Sequence, residues 1–221
     1  MTLFFLAFLP ILLSLGAWQL DRAAQKRQME TAYLDKITSL PAIATAQALT
    51  SDFQRLRLVG RFADAVFLVD NQVQAGQTGY WVLQAFDDTT SGRRLLVNRG
   101  FVAAPPVRSE LPVVTAPAGE VTVLGVVWPF TGLIPLLDED PWADGWPKRV
   151  QRLDVARMAS VADAEPVEVR LEAGQPGVAS SAPFATVLSD AKHRGYAATW
   201  FGLAAALCVL FAVYGLRRHT D

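Results

Sequence analysis

The sequence predicts an α+β membrane protein: two transmembrane helices flanking one β-rich domain of antiparallel strands with a short helix. Three observations predict it. An apolar run lies near each end of the chain, short alternating patterns lie between them, and one amphipathic stretch in that middle region starts with a capping residue. The 221 residues leave room for one ordinary domain plus its anchors. A hydrophobic content of 52% against 19% charged residues is an apolar tilt that the two end runs explain.

The first run, "LFFLAFLPILLSLGAWQL", covers Leu3 to Leu20. As a helix it spans about 27 Å, just enough for a thin or locally compressed bilayer. Trp18 and the charged stretch Asp21, Arg22, Lys26, Arg27, Glu30 read as a helix leaving the membrane. A cleaved signal peptide is the alternative, because Ser14-Leu15-Gly16 has small residues at the right spacing. Its basic leading region is missing, so a retained anchor is expected.

The second run, Gly195 to Leu216, has 22 positions without a formal charge, about 33 Å of helix. Tyr196 and Trp200 in its first turns and Tyr214 near its end suit the interfaces, and Arg217 and Arg218 stop it. The expected division is therefore a span over 3–20, a β-rich domain over 21–190 and a span over 195–216. Both termini share one side of the membrane, and the domain lies on the other. Charge does not fix which side. Lys192 and Arg194 balance Arg217 and Arg218, while Arg22, Lys26 and Arg27 sit on the domain side and favour a cytoplasmic domain.

Strand patterns begin at Gln54. "FQRLRLVGRF" alternates Leu56 and Leu58 with Arg55 and Arg57, the period of a strand with one buried face. "AVFLVDNQ" is a second run, ending in an expected turn at Asp70-Asn71. "GYWVLQAF" and "RRLLVNRGFV" are joined by the hairpin signal "DDTTSG", and "VTVLGVVW" and "PVEVRLEA" add two more strands. "DVARMASV" predicts the short helix, with Asp154 as its cap and Val155, Met158 and Ala159 on one face. "PFTGLIPLLDEDPWADGWPKR" is an expected ordered loop with Trp142 and Trp146, and "AGQPGVASSAP" (173–183) an expected flexible lead back to the membrane.

Chemistry is sparse. The net charge of -1 argues against a nucleic-acid partner. Cys208 is the only cysteine and lies in the second apolar run, so no disulfide or CxxC metal site forms within the chain. No GxSxG, phosphate loop or dinucleotide fingerprint occurs. The two histidines, His193 and His219, lie outside the middle domain, which excludes a histidine triad or a three-histidine zinc site there. Asp138, Glu139 and Asp140 are a weak cation candidate, and more simply a solvated loop. Arg93, Arg94 and Arg99 read as an exposed edge or a salt-bridged face.

His193 is the remaining candidate. On a helix it shares a face with Tyr196, Ala197 and Trp200 at i+3, i+4 and i+7. A neutral imidazole is a good axial ligand for haem iron, and aromatic rings pack well beside a macrocycle. A polar Lys192-His193-Arg194 anchor at the lipid headgroups explains the same residues without a cofactor.

Six stretches occur in order along the chain: "LGAWQLDRAAQK" (15–26), "GRF" (60–62), "LVDNQVQAGQTGYWVLQAF" (68–86), "LLVNRGFV" (95–102), "DEDPWADGWPKRVQRLDVARMA" (138–159) and "HRGYAATWFGLA" (193–204). In these the chain resembles the Surfeit locus protein 1 family of cytochrome c oxidase assembly factors. The resemblance implies a non-enzymatic helper that binds haem a and assists its insertion into the largest subunit of a haem-copper oxidase. The implied alternative is a haem-free scaffold stabilising a subunit I assembly intermediate. On this chain the family's haem ligand falls on His193, as haem iron's ligand and not a bare-metal site, with Tyr196 and Trp200 as pocket residues. Trp18 and Arg22 are expected to meet them, or the partner, if the helices pair. Lys192 and Arg194 are candidate contacts for haem propionates. The resemblance further implies partnership with subunit I and the haem a synthesis machinery, and a multi-pass protein with an extracytoplasmic central domain. The absence of a basic lead before the first helix is expected to reflect a truncated or late-assigned start. With no Arg/Ser-rich transit sequence there, a bacterial cytoplasmic (inner) membrane is expected rather than a mitochondrial one.

Overall fold

Alternation of Leu56 and Leu58 with the arginines beside them begins a strand that runs much further than its first ten residues. The computed structural model describes residues 2–130, 132–136, 138, 140–179 and 189–218. In it, β1 extends over Arg55–Gln74, followed by β2 (Gln77–Asp88), β3 (Arg93–Ala103), β4 (Val121–Trp128), β5 (Lys148–Val150) and β6 (Glu168–Leu171). Helices are α1 (Thr2–Ile37), α2 (Ala46–Leu49), α3 (Val155–Ala162) and α4 (Ala191–Arg218). The chain forms two compact units, Met1–Leu34 with Phe184–Asp221, and Asp35–Pro183.

In the second unit the strands close on themselves. Among the described residues the pairing runs β1–β2–β3–β6–β4 and back to β1, a five-stranded ring, with β5 added outside on β1. Most pairings are antiparallel, as expected, but β3–β6 and β1–β5 are parallel. β6 pairs antiparallel with β4 and parallel with β3, and the parallel pairing is possible because the connection from β3 to β6 is long, carrying β4, β5 and α3. Gly60 lies where β1 passes from β4 to β2; a Cβ there would stand 1.8 Å from the Asp87 carbonyl oxygen. Leu56, Leu58, Phe86, Leu95, Val97, Val123, Val127, Val169 and Leu171 fill the ring's interior, joined by Ala44 and Ala48 beside α2.

The turn expected at Asp70-Asn71 lies instead at Ala75-Gly76, both at positive φ (50° and 80°), the backbone of a two-residue hairpin turn. Asn71 (φ 58°) falls within a register irregularity between Val69 and Gln72, so the strand absorbs it and continues. The hairpin at "DDTTSG" forms as expected; Asp88 accepts from the Ser91 backbone and hydroxyl.

Asp154 caps α3 by accepting from the Arg157 N–H at 3.1 Å. The buried face of α3, Met158, Ala159 and Ala162, packs on Phe67, Val69, Leu83, Ala85 and Leu96 outside the ring. In the loop before it, Trp142 and Trp146 meet Phe67 edge-on, at 5.6 and 5.1 Å between ring centres.

Two readings of the sequence need correction. Arg93 and Arg94 are ion-paired, to Glu165 and Asp87, but Arg99 is buried, 2% exposed. Its guanidinium donates to Gln84 Oε1 and to the Gly177 and Thr115 carbonyls, and lies over the Phe62 ring at 5.0 Å. Burial lowers its pKa to about 10. For the same reason the segment after β6 is held rather than loose: Gly177 receives Arg99, Ala179 N–H donates to the Arg99 carbonyl, and Val178 packs against the ring's core. Residues 180–183 of that expected lead, and Glu139 of the acidic run, lie outside the described residues.

Candidate functional site

The first unit is built on α1 and α4, each long and apolar enough to cross a membrane. α1 does not end with its apolar run at Leu20 but continues to Ile37, through residues with good helix propensity such as Ala23, Ala24, Gln25 and Lys26. Pro10 lies inside it, and the Ser14 hydroxyl donates to the Pro10 carbonyl at 2.7 Å.

The two helices run antiparallel along a seam of small residues. Phe5 stacks on Phe211 at 4.2 Å between ring centres. Gly16 lies against Phe201, and a Cβ at Gly16 would stand 2.7 Å from that ring. Ala23 on α1, and Ala197 and Ala204 on α4, are buried. Small side chains let two backbones approach closely, which is how helices associate where no hydrophobic effect drives them. Beyond the apolar run, Arg27 faces Asp190 at 3.5 Å, just ahead of α4.

Within this seam His193 turns to α1. Its Nδ1 lies 2.8 Å from Gln19 Oε1, an atom that can only accept. The face shared by His193, Tyr196 and Trp200 on a helical wheel is divided by the neighbouring helix. His193 is half-buried, Ala197 faces the seam, Tyr196 is 59% exposed and Trp200 is half-buried. Trp18 (49% exposed) and Arg22 meet each other, with the guanidinium 5.6 Å from the indole centre, and Arg22 also donates to Gln25 Oε1. Among the described contacts it is Gln19, between them on the helix, that reaches His193. Lys192 and Arg194 are exposed.

Gln19 lies within the family stretch "LGAWQLDRAAQK" but was not among the candidate site residues. A further available signal was the small-residue spacing, Gly16 and Ala23 on one helix and Ala197 and Ala204 on the other, seven apart in each. That spacing marks the facing sides, and Gln19 is one turn from Gly16 on its side.

The β-domain holds a second polar group, Asn98, Glu168 and Arg170, all buried. Glu168 accepts from Asn98 Nδ2 at 2.7 Å and from Arg170 Nε at 2.8 Å, and Arg170 stacks over Trp128 at 3.9 Å. These three side chains hydrogen-bond one another, and all are buried from solvent. Asp140, from the acidic loop, accepts from Trp142 Nε1 and the Gln151 N–H, each at 3.0 Å, which makes it a loop fastener. Among the described residues no group of three or more His, Cys, Asp or Glu side chains comes together as a metal site.

A family model described as the SURF1 family matches residues 6–205, from the first turns of α1 through the β-domain and into α4. The chain is 28% identical over 218 residues to Surfeit locus protein 1 of Takifugu rubripes, covering 87% of each. It is 31% identical over 138 residues to Surfeit locus protein 1 of Homo sapiens, 61% of this chain and 44% of that one. To the SURF1-like protein of Rickettsia felis it is 26% identical over 217 residues, 92% of both.

Proposed function

The chain belongs to the SURF1 family, and from that premise we propose that it is a membrane-bound assembly factor for haem-copper cytochrome c oxidase. In this reading it binds haem a as cargo and assists its insertion into subunit I. The observation that carries the reading is the setting of His193. It is half-buried in the helix seam at the end of the apolar spans, with the exposed rings of Trp18 and Tyr196 next to the two residues of the Gln19–His193 pair.

The donor set fits an iron porphyrin better than a bare ion. There is one imidazole nitrogen for an axial position, aromatic surface for a flat macrocycle, and the exposed cations Lys192 and Arg194 for propionates. His193 Nε2 would hold the iron, which supplies the strong, directional bond that keeps the cargo in place. Tyr196, Trp200 and Trp18 would cover the macrocycle, and Arg22 would pair with a propionate or the partner subunit. Haem a synthesis machinery on the donor side and subunit I on the acceptor side are the partners this role requires. The work asked of the protein is binding and release, with no bond in the cargo made or broken. The host membrane in this reading is a bacterial cytoplasmic membrane, with the β-domain extracytoplasmic.

Wild-type and His193→Ala proteins purified from cells that make haem a are compared by Soret absorbance. The variant is expected to carry little haem, and equal haem content would remove the ligand role. A second reading is a haem-free scaffold for subunit I, favoured by the fact that His193 already serves as an interhelical contact. Stable co-purification with subunit I from a host unable to make haem a would support the scaffold.

A further inference from the structure

A neutral imidazole has one N–H and one lone pair, and the hydrogen bond made by one nitrogen decides what the other can do. Gln19 Oε1 can only accept. With His193 Nδ1 at 2.8 Å from it, the ring proton is held on Nδ1 and the lone pair on Nε2. We infer that Gln19 is the positioning residue for His193, fixing the tautomer and ring orientation in which Nε2 serves as the ligand nitrogen. This rests on the haem-ligand reading of His193 proposed above.

The contact is one of several that join the helices. Phe5 on Phe211 and Gly16 against Phe201 join them on one side of it, and Arg27 with Asp190 on the other. Gln19 therefore occupies a part of the seam already closed at both ends, where an apolar side chain would pack without a polar partner. Its amide also differs in kind from a carboxylate. A carboxylate behind an imidazole raises its basicity and strengthens the metal bond. A neutral amide orients the ring with less push and carries no charge to the edge of the hydrocarbon. That suits a ligand which must let its cargo go.

The test uses the full chain in lipid nanodiscs, with ferric haem b as the probe and Soret titration, midpoint potential and histidine ¹⁵N shifts as readouts. Gln19→Leu is expected to mix the His193 tautomers in the haem-free protein and to weaken haem b binding by about 10- to 100-fold. Gln19→Glu keeps the acceptor; it is expected to restore one tautomer, bind at least as tightly as wild type and lower the midpoint potential. Helix pairing is read separately, from disulfide formation between Phe5→Cys and Phe211→Cys in a Cys208→Ser background. If His193→Ala binds haem b like wild type, the ligand reading fails and the positioning role with it. If His193→Ala loses haem while Gln19→Leu keeps wild-type affinity and tautomer, the ligand reading stands and Gln19 is only interhelical glue. If Gln19→Leu unpairs the helices, Gln19→Glu decides: an unchanged potential overturns the inference.

Discussion

Arg99 shows how one side chain fixes what looks, in sequence, like loose chain. Three acceptors from separate segments converge on its guanidinium: Gln84 on β2, and the carbonyls of Thr115 and Gly177. Replacing it by methionine orphans all three, and charged hydrogen bonds of this kind are each worth about 1.5–3 kcal/mol, partly offset by relief of the buried charge. Arg99→Met is expected to destabilise the β-domain by about 2–4 kcal/mol, read as a lower urea midpoint at unchanged slope. The gap has a defined pH dependence. Arg99 is lowered to about 10 in the folded chain, so below that pH it is charged in both states and the gap is flat. Above it, the unfolded chain keeps a proton that the folded chain sheds, and the wild type gains relative to the variant. A gap that narrows above pH 10 contradicts this account. None of it was legible beforehand: "RRLLVNRGFV" displays three arginines with nothing local to say that the third points inward. His193 is a similar case, since its wheel neighbours Tyr196 and Trp200 were visible while its actual partner, Gln19, lies 174 positions away.

At the scale of elements, what the sequence displayed well were patterns closed within a few residues. Leu56 and Leu58 alternate because one face of β1 is buried, and the hairpin at "DDTTSG" and the cap at Asp154 announce themselves through residue types. Asp154→Ala is expected to cost about 1 kcal/mol, as loss of an N-cap does, while Asp154→Asn keeps most of the stability; thermal unfolding of the two variants checks this. Patterns failed where two backbones compete. "VDNQ" carries ordinary turn residues, yet the ladder with β2 is more favourable continued than broken, so Asn71 becomes an irregularity and the turn moves to Ala75-Gly76. The three residues of β5 are too few for any period to register, and their parallel partner on β1 is about eighty positions distant.

For the molecule as a whole, order was legible and closure was not. Helix, strands, short helix, strand and helix could be read off in sequence, together with the ordered motifs of the family. Nothing local foretold that β6 slots between β3 and β4, because pairing across seventy residues leaves no mark in either strand. Charge left the side of the membrane undecided, so the extracytoplasmic placement proposed here is open to direct measurement. With Cys208 replaced by serine, a cysteine at Ser91, in the β2–β3 turn, is expected to react with a membrane-impermeant maleimide applied to intact spheroplasts. Labelling only after lysis would put the domain on the cytoplasmic side.

The ring also sets an order of events. Among the described residues, 168–171 form the last strand to emerge from whatever machinery makes or translocates the chain, and both neighbours of that strand are made long before it. Until it arrives, β3 and β4 each present an unpaired edge, the kind of surface that recruits other chains. A frameshift or stop between Trp128 and Glu168 thus leaves more than a shorter protein. It leaves an open sheet, still attached to a membrane span and ready to stick to its neighbours.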